Sequence, residues 1–373
     1  RMLAAVKKLR DAGNTVLMVE HHAEMIKEAD HIVDMGPKAG TEGGNVLFEG
    51  TYEELLESDT QTGEYLRKRS RTKIKDKVKT PSGWYELKNL TYHNLKQVDV
   101  RLPKGVMTVI AGVAGSGKSS LMESFYVRHP EAIYISQKNI GISLRSTPAT
   151  YLGIADEIRK IYAKRSGAKA SLFSFNGKGK CPVCGGKGVI VSDMAFMDAI
   201  ETTCEACGGL RYSKEALAYE VDGMNIAQVM DLSVEKAEKW FEGTEIVRLL
   251  HPLMLVGLSY LHLNQALSTL SGGELQRMKL ASYLKSEGEV FILDEPTDGL
   301  HMKDIQNILD LFNEMTENGN TIYLIEHNLE VLKQADYVIE LGPGGGNEGG
   351  TILYAGTPTG MLNCPDSVTA RYL

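Results

Sequence analysis

The stretch that most restricts the fold runs from Val106 to Tyr126 and reads VMTVIAGVAGSGKSSLMESFY. An apolar, β-branched run leads into the pattern Gly-x-x-x-x-Gly-Lys-Ser, and a helical pattern follows, which is the strand–loop–helix context that this motif requires. Glycines let backbone N–H groups close around phosphate oxygens, and the helix adds the positive end of its dipole. The sequence therefore predicts an α/β core with a nucleotide-phosphate site; a glycine-rich turn with an incidental lysine is the alternative. The residues predicted to bind the nucleotide are Gly112, Gly115, Ser116, Gly117, Lys118, Ser119 and Ser120.

A second segment, Glu289 to His301, reads EVFILDEPTDGLH. Its apolar run predicts a buried parallel strand that delivers Asp294 and Glu295 to the edge of the sheet where ligands bind. Asp294 is expected to hold Mg²⁺ together with the Ser119 hydroxyl, and Glu295 is expected to polarise the water that attacks the γ-phosphorus. An acidic turn is the alternative interpretation of this pair.

Between these two segments, Leu267 to Leu284 reads LSTLSGGELQRMKLASYL. Ser271, Gly272, Gly273 and Glu274 open a predicted helix, so free N–H groups and a hydroxyl are expected at its amino end. Ser271 with Glu274 also fits a capping box, which is a purely structural role. The two interpretations are compatible with each other.

Four of the five cysteines form two close pairs, Cys181-x-x-Cys184 and Cys204-x-x-Cys207, with 19 residues between the pairs. This spacing predicts a four-thiolate zinc site, and redox-active pairs are the alternative. Each pair is followed by Gly-Gly, which lets backbone amides turn toward the sulfurs. Four thiolates leave no open coordination position, so the metal is expected to organise structure and to perform no hydrolysis.

The chain also contains an internal repeat. Gly13 to Thr51 and Gly319 to Thr357 align without a gap at an offset of 306 residues, and 18 of the 39 aligned positions are identical. The repeat places Glu20-His21 opposite Glu326-His327. The chain therefore begins with a copy of its own ending.

Charge and cysteine usage limit the class of protein. The net charge of −7 does not by itself indicate a nucleic-acid binder, although a local basic patch could bind phosphates. The segment from Arg67 to Lys79 is strongly basic; a solvated linker is favoured over phosphate contact. No apolar run reaches membrane-spanning length, and the paired cysteines favour a reducing compartment, so a cytoplasmic location is expected.

The motifs GVAGSGKSS, LSGGELQR, FILDEPTDGLH and LIEHN resemble the Walker A, signature, Walker B with D-loop, and switch-histidine motifs of ATP-binding cassette (ABC) ATPases. The resemblance implies two modules that face each other, with each nucleotide held between one Walker A loop and the opposite signature. It implies that Gln137 is the Q-loop glutamine, a catalytic residue and Mg²⁺ ligand, and that His327 contacts the γ-phosphate. The signature residues would then serve the nucleotide of the other module. Tyr92 is a candidate for stacking on adenine, although a core or surface tyrosine is favoured.

The cysteine insert and the segments LRSTPATYLGIADEIRKIYA, SFNGKGKC, GLRYSKEAL and VMDLSVEKAEKWF are similar to the UvrA family of ABC ATPases. This resemblance implies a damage-sensing, ATP-dependent DNA-binding ATPase of bacterial nucleotide excision repair that uses ATP, Mg²⁺ and Zn²⁺. The implied partners are double-stranded DNA, the missing first ABC module, a second copy in a homodimer and an excinuclease partner subunit. A UvrA-like paralogue for resistance to DNA-directed drugs and an ATPase subunit coupled to a transporter are the alternatives. The candidate DNA contacts are Lys164, Arg165, Lys178 and Lys180.

The expected fold is an α/β P-loop core of the ABC type with an antiparallel β-subdomain, a helical signature domain and an inserted zinc module built on four cysteines. The isolated chain is expected to hydrolyse ATP weakly, because its signature would serve an absent nucleotide. The predicted divisions are 1–66 for the tail of the first ABC module, 67–83 for a basic linker, 84–143 for the ATP-binding core with Walker A and Q-loop, 144–266 for the signature domain with the zinc knuckle at 181–207, and 267–373 for the signature helix, Walker B, D-loop and switch region.

Overall fold

The computed structural model describes residues 2–20, 23–36, 43–69, 73–136, 145–194, 197–284, 287–298, 300 and 302–373. Two predicted residues, Gln137 and His21 of the repeat, lie outside these ranges. The strands are β1 Ile32–Gly36, β2 Asn45–Gly50, β3 Gly83–Leu90, β4 Val98–Lys104, β5 Met107–Gly112, β6 Ile133–Ile135, β7 Val189–Met194, β8 Met197–Thr203, β9 Glu220–Val221, β10 Met224–Asn225, β11 Val290–Asp294, β12 Thr321–Ile325, β13 Tyr337–Gly342 and β14 Thr351–Gly356.

The α-helices are short to medium in length, and four 3-10 turns at Ala170–Phe173, Leu267–Thr269, Gly346–Glu348 and Thr369–Tyr372 accompany them in the described residues. The helices are α1 Met2–Asp11, α2 Ala23–Lys27, α3 Tyr52–Glu57, α4 Gln61–Arg69, α5 Lys118–Arg128, α6 Pro148–Tyr151, α7 Ile154–Ser166, α8 Lys214–Leu217, α9 Ile226–Met230, α10 Val234–Trp240, α11 Ile246–Leu255, α12 Gly272–Tyr283, α13 Met302–Glu317, α14 Leu329–Gln334 and α15 Pro358–Met361.

The chain forms two compact units, of which the first comprises Arg1–Tyr134 with Glu287–Leu373 and the second comprises Ile135–Ser286. The first unit contains a sheet with the strand order β14-β13-β5-β12-β11-β6. β11 runs parallel to β12, and β12 and β13 both run parallel to β5, whereas β14 is antiparallel to β13. Because β5, β11 and β12 are parallel, the loops that follow them emerge at one edge of the sheet.

The apolar runs in the sequence account for this sheet. The strands β5, β11 and β12 are almost continuously buried, as expected of parallel strands that are covered on both faces. The antiparallel pair β3–β4 contributes alternate residues such as Leu87, Val100 and Leu102 to the same core cluster as Phe125 of α5. The predicted α/β core with an antiparallel β-subdomain is therefore confirmed.

The second unit is mainly helical and carries the cysteine pairs. Helix α11 packs against α7, α10 and α12, and Leu250 and Leu253 on α11 are fully buried. The hairpin β7–β8 joins the two cysteine pairs. This unit matches the expected helical signature domain with an inserted cysteine module.

The basic segment after α4 is partly built into the first unit. Lys75 donates from Nζ to Asp336 Oδ1 at 2.7 Å, and Lys79 donates from Nζ to the carbonyl oxygen of Asn313 at 2.9 Å. Asp336 is only 2% exposed and also accepts from the backbone N–H of Lys79. The expectation of a solvated linker is wrong for these two lysines, because a buried carboxylate needs a cation or donors to stay ionised.

Candidate nucleotide site and cysteine cluster

The phosphate loop lies between β5 and α5, as the motif requires. Gly112 has a φ of +135°, and a Cβ there would lie 2.1 Å from the carbonyl oxygen of Leu341, so a side chain has no room. Gly117 has a φ of +105° and caps α5, which begins at Lys118. Backbone N–H groups at the start of this helix are thus directed toward the loop, where an anion is favoured.

Lys118 lies over the loop. Its Nζ donates to the carbonyl oxygens of Gly112 at 2.8 Å and Val113 at 3.1 Å. Burial lowers the pKa of Lys118, while the nearby carboxylates of Glu295 and Asp294 act in the opposite direction. The two acids predicted from the second motif therefore lie close enough to act electrostatically on the lysine of the first.

Glu295 follows β11 and is held in an uncommon backbone conformation. Its φ is +51°, a value that costs about 1–3 kcal/mol for a non-glycine residue unless neighbouring contacts impose it. Its backbone N–H donates to the carbonyl oxygen of Ile325 at 2.9 Å, which ties it to the end of β12. Glu295 Oε1 lies 3.6 Å from Nδ1 of His327. The structure thus brings together three predicted residues, Lys118, Glu295 and His327, from three separate loops.

The loop between β3 and β4 also reaches the phosphate loop, through Asn94. Its Nδ2 donates to the carbonyl oxygen of Gly115 at 2.8 Å, and its Oδ1 accepts from the Ser120 hydroxyl at 3.4 Å. Tyr92 in the same loop is 43% exposed and lies against His93, with ring centroids 4.0 Å apart. The motifs contained no signal for Asn94, because its contact depends on the path of the β3–β4 loop.

The signature segment lies in the second unit, and its expected capping box is present. The Ser271 side chain accepts from the backbone N–H of Glu274 at 3.3 Å, and Glu274 Oε2 accepts from the backbone N–H of Ser271 at 2.7 Å. Tyr260 donates a further short hydrogen bond to Glu274. Gly272 and Gly273 form the first turn of α12, so the amino end of this helix is fixed by its own side chains.

The four paired cysteines converge in the second unit. The four sulfurs lie within 4.8 Å of one another, and Cys184 Sγ is 3.8 Å from Cys207 Sγ. Two sulfurs bound tetrahedrally to one zinc ion at about 2.3 Å would be about 3.8 Å apart. Gly188 donates its backbone N–H to Cys184 Sγ at 3.3 Å; it lies two residues beyond the Gly185-Gly186 pair at which the sequence predicted such an amide contact.

The acidity of these thiols fits a cation site. Burial alone would raise the pKa of Cys184, but N–H donors from Gly188 and Gly186 lower it to about 7. Burial raises the pKa of Cys207 to about 12. One thiolate therefore forms readily while a second is opposed by burial and by the first charge, and a divalent cation removes that opposition.

The candidate DNA residues Lys164, Arg165, Lys178 and Lys180 are all exposed in the second unit. Arg165 forms an ion pair with Asp222 at 2.5 Å, so part of its charge is already compensated. Arg211, which the sequence did not single out, lies 5.4 Å from the ring centroid of Phe175. Its positive charge also acts on Cys184, which offsets thiolate charge in the cysteine cluster.

Proteins of the UvrA family match this chain along almost its whole length. The UvrABC system protein A of Methanothermobacter thermautotrophicus is 42% identical over 394 residues, covering 96% of this chain and 41% of that protein. The protein of the same name from Bacillus subtilis is 41% identical over 409 residues, covering 100% of this chain and 43% of that protein. The crystal structure of UvrA2 from Deinococcus radiodurans superposes with a TM-score of 0.92 at 38% identity, covering 100% of this chain and 49% of that one. This chain is UvrA-like over its whole length.

The UvrA assignment confirms the resemblance predicted from the motifs. A family model described as ABC transporter also matches, over residues 197–298. The chain spans about two fifths of the length of the two UvrA proteins compared. In the described part of the chain, no helix is long and apolar enough to cross a membrane.

Similarity to the UvrA proteins implies ATP, Mg²⁺ and Zn²⁺, and the residues present fit all three. Lys118 and the helix start provide positive charge for phosphates, and the buried Ser116 hydroxyl has no hydrogen-bond partner among the described residues. Ser119 and Asp294 offer the oxygen ligands that Mg²⁺ prefers. The four converging sulfurs offer the closed donor set of a structural zinc site.

Proposed function

We propose that this chain provides an ATP-hydrolysing site and a DNA-binding surface to a UvrA-type repair ATPase that acts in the cytoplasm. The observation that carries the proposal is the 3.6 Å approach of Glu295 to His327, together with the electrostatic effect of Glu295 on Lys118. The chain also carries four converging thiols, in an insert that is typical of the UvrA family. The same chain therefore combines this nucleotide site with that insert.

Each residue of the site has a separate task in this proposal. Lys118 binds the β- and γ-phosphates, and Ser119 with Asp294 holds Mg²⁺, which supplies positive charge to the leaving phosphate oxygens when it is bound. Glu295 accepts a hydrogen bond from the attacking water and orients it. His327 donates to the γ-phosphate. Gln137 is proposed as a further ligand on the strength of the Q-loop motif.

An exposed apolar segment near the start of the chain supports the proposal that the intact protein contains more of a first cassette. Val16, Leu17, Met18 and Val19 are 36%, 93%, 42% and 105% exposed. Their counterparts at the repeat offset, Ile322 to Ile325, form the buried central strand β12. We propose that residues 15–19 become such a strand when the intact protein supplies the neighbouring strands.

The signature at Ser271 would then face the nucleotide of that first cassette. The proposed assembly is a homodimer that binds an excinuclease partner subunit.

DNA contact is proposed for Lys164, Lys178, Lys180 and, with its charge partly compensated, Arg165. Lysines that contact phosphates without reading bases suit recognition of DNA shape and deformability. A transporter-coupled ATPase is not favoured, since the relatives that match the whole chain are UvrA proteins.

The proposal is tested by binding of the intact protein to damaged and intact duplex DNA over a series of salt concentrations. For Lys164→Ala with Lys178→Ala we expect the slope of log affinity against log salt to fall by roughly 0.9 per lysine. The matched control is Lys88→Ala, which removes a lysine that is 76% exposed on β3.

Two further outcomes decide between functions. If Lys118→Ala abolishes the effect of ATP on DNA affinity, the proposal that bound nucleotide controls DNA binding is supported. If the effect of ATP is retained in this variant, the proposal is contradicted. Equal affinity for damaged and intact DNA would replace the repair role with the resistance-type role, because lesion recognition requires a difference in affinity.

A further inference from the structure

Glu326 is a buried carboxylic acid within the LIEHN motif, and the proposed mechanism assigns it no role. It directly precedes His327 and is only 1% exposed. Its backbone N–H donates to the carbonyl oxygen of Ile110 at 3.2 Å, so its main chain is fixed to β5. A buried charge is costly unless hydrogen bonds compensate it, and the surroundings of this side chain show where the compensation comes from.

The two carboxylate oxygens of Glu326 accept from two different loops. Oε1 accepts from the backbone N–H of Thr297 at 3.0 Å and from its hydroxyl at 2.6 Å. Oε2 accepts from the backbone N–H of His327 at 3.1 Å and of Asn328 at 3.3 Å. Thr297 belongs to the D-loop after β11, whereas His327 and Asn328 belong to the switch loop after β12. One side chain thus connects both loops.

The donors also explain why the acid is tolerated inside the protein. Burial raises the pKa of Glu326, and the hydrogen bonds from Thr297 and Asn328 and the proximity of His327 counteract that effect. All four contacts come from N–H or O–H groups, which match an acceptor-only carboxylate. A glutamine at this position would direct its NH₂ group, which is a donor, at the donors of one of the two loops, and would lose the hydrogen bonds to that loop.

We propose that Glu326 is a positioning residue that locks the D-loop to the switch loop and thereby keeps Glu295 and His327 in register. Thr297 is two residues beyond Glu295, and His327 is the next residue after Glu326, so each end of the lock lies beside one partner of the 3.6 Å pair. The inference rests on the proposed ATPase function and adds the part that couples its two catalytic loops. The internal repeat carries a glutamate at the equivalent position, Glu20.

The main test is Glu326→Gln in the intact protein, compared with Glu340→Gln as a matched control. Glu340 is also fully buried, and its Oε1 accepts from the backbone N–H of Thr369 at 2.8 Å and from its hydroxyl at 2.6 Å. The two glutamates therefore make nearly the same contacts with a threonine, but the side chain of Glu340 anchors the carboxyl-terminal segment instead of the catalytic loops. We expect Glu326→Gln to lower kcat roughly 10- to 100-fold with KM within about twofold, and Glu340→Gln to leave both within about twofold.

Thr297 provides a second, independent variant. Thr297→Val removes the hydroxyl donor and should lower kcat, whereas Thr297→Ser keeps both donors and should retain activity. Adding Thr297→Val to Glu326→Gln should lower kcat by less than the product of the two single effects, because both changes break the same connection.

Amide hydrogen exchange separates this inference from the proposed ATPase function. Glu326→Gln should speed exchange in residues 297–298 and 327–328 together, and Glu340→Gln should speed it only near Thr369. A wild-type protein without ATPase activity would refute the proposed function, and the exchange measurement would still decide whether the lock exists. An equal loss of kcat in both glutamine variants, or no coupled change in exchange, would overturn the role of Glu326.

Discussion

The two copies of the repeat, residues 13–51 and 319–357, form the same hairpin, in which two strands of one copy pair with each other. They differ in the preceding segment, which becomes a strand only where neighbouring strands from the rest of the chain flank it. β1 pairs with β2 as β13 pairs with β14, and the irregular step in the first hairpin, between Asp34 and Met35, has its equivalent between Glu340 and Leu341. Local strand pairing is therefore enough to specify the hairpin in both places.

The segment before each hairpin behaves differently. Residues 321–325 form β12 between β5 and β11, whereas residues 14–20 form neither helix nor strand in the described part of the chain. The two segments have similar apolar, β-branched character. Strand propensity largely reports packing against neighbours, so the same pattern forms no strand and stays exposed where β5-like and β11-like neighbours are missing from the described residues.

The largest expected difference between the copies is catalytic. Glu295 lies outside the repeat but approaches His327 of the second copy. Glu295→Gln should lower the kcat of ATP hydrolysis by the 373-residue chain at least about 100-fold, because it removes the acceptor for the attacking water. Glu20→Gln, at the repeat position of Glu326, should leave kcat within about twofold in the same chain. Steady-state phosphate release measures both. Comparable losses in the two variants would mean that the first copy also forms an active loop.

A difference in stability should appear at one pair of equivalent positions. Ile325→Ala should lower the free energy of unfolding by about 2–5 kcal/mol, since it leaves a cavity in a fully packed strand. Val19→Ala should change it by less than about 0.5 kcal/mol, because Val19 is fully exposed. Denaturant unfolding of the two variants provides the measurement. A cost at Val19 near that at Ile325 would show that the first copy is packed in solution.

The pattern of residues predicted the phosphate loop, the acidic strand end and the cysteine cluster, because each depends on spacing within a short segment. It did not predict Asn94, whose contact with Gly115 depends on the path of a distant loop. It also assigned the Arg67 to Lys79 segment to solvent, although Lys75 lies on Asp336. A run of like charges indicates exposure only when no buried group of opposite charge lies nearby in the fold. Asp336 is 261 residues from Lys75 along the chain, so the sequence around Lys75 does not reveal that partner.

The smallest expected difference concerns Asp336 and its repeat equivalent, Asp30. Asp336 is buried and accepts from Lys75, from the backbone N–H of Lys79 and from that of Met107, whereas Asp30 is 70% exposed and pairs with Arg10 at 2.8 Å. Asp336→Asn should therefore lower the free energy of unfolding by about 2 kcal/mol, and Asp30→Asn by less than about 1 kcal/mol.

Salt sharpens this last comparison, because a solvated ion pair is screened and a buried one is screened much less. The effect of Asp30→Asn should shrink further between low and high salt, while the effect of Asp336→Asn should persist, as measured by denaturant unfolding at both salt concentrations. If the two substitutions cost the same and respond equally to salt, Lys75 does not remain on Asp336 in solution, and the segment from 73 to 79 is the solvated linker that its composition predicted.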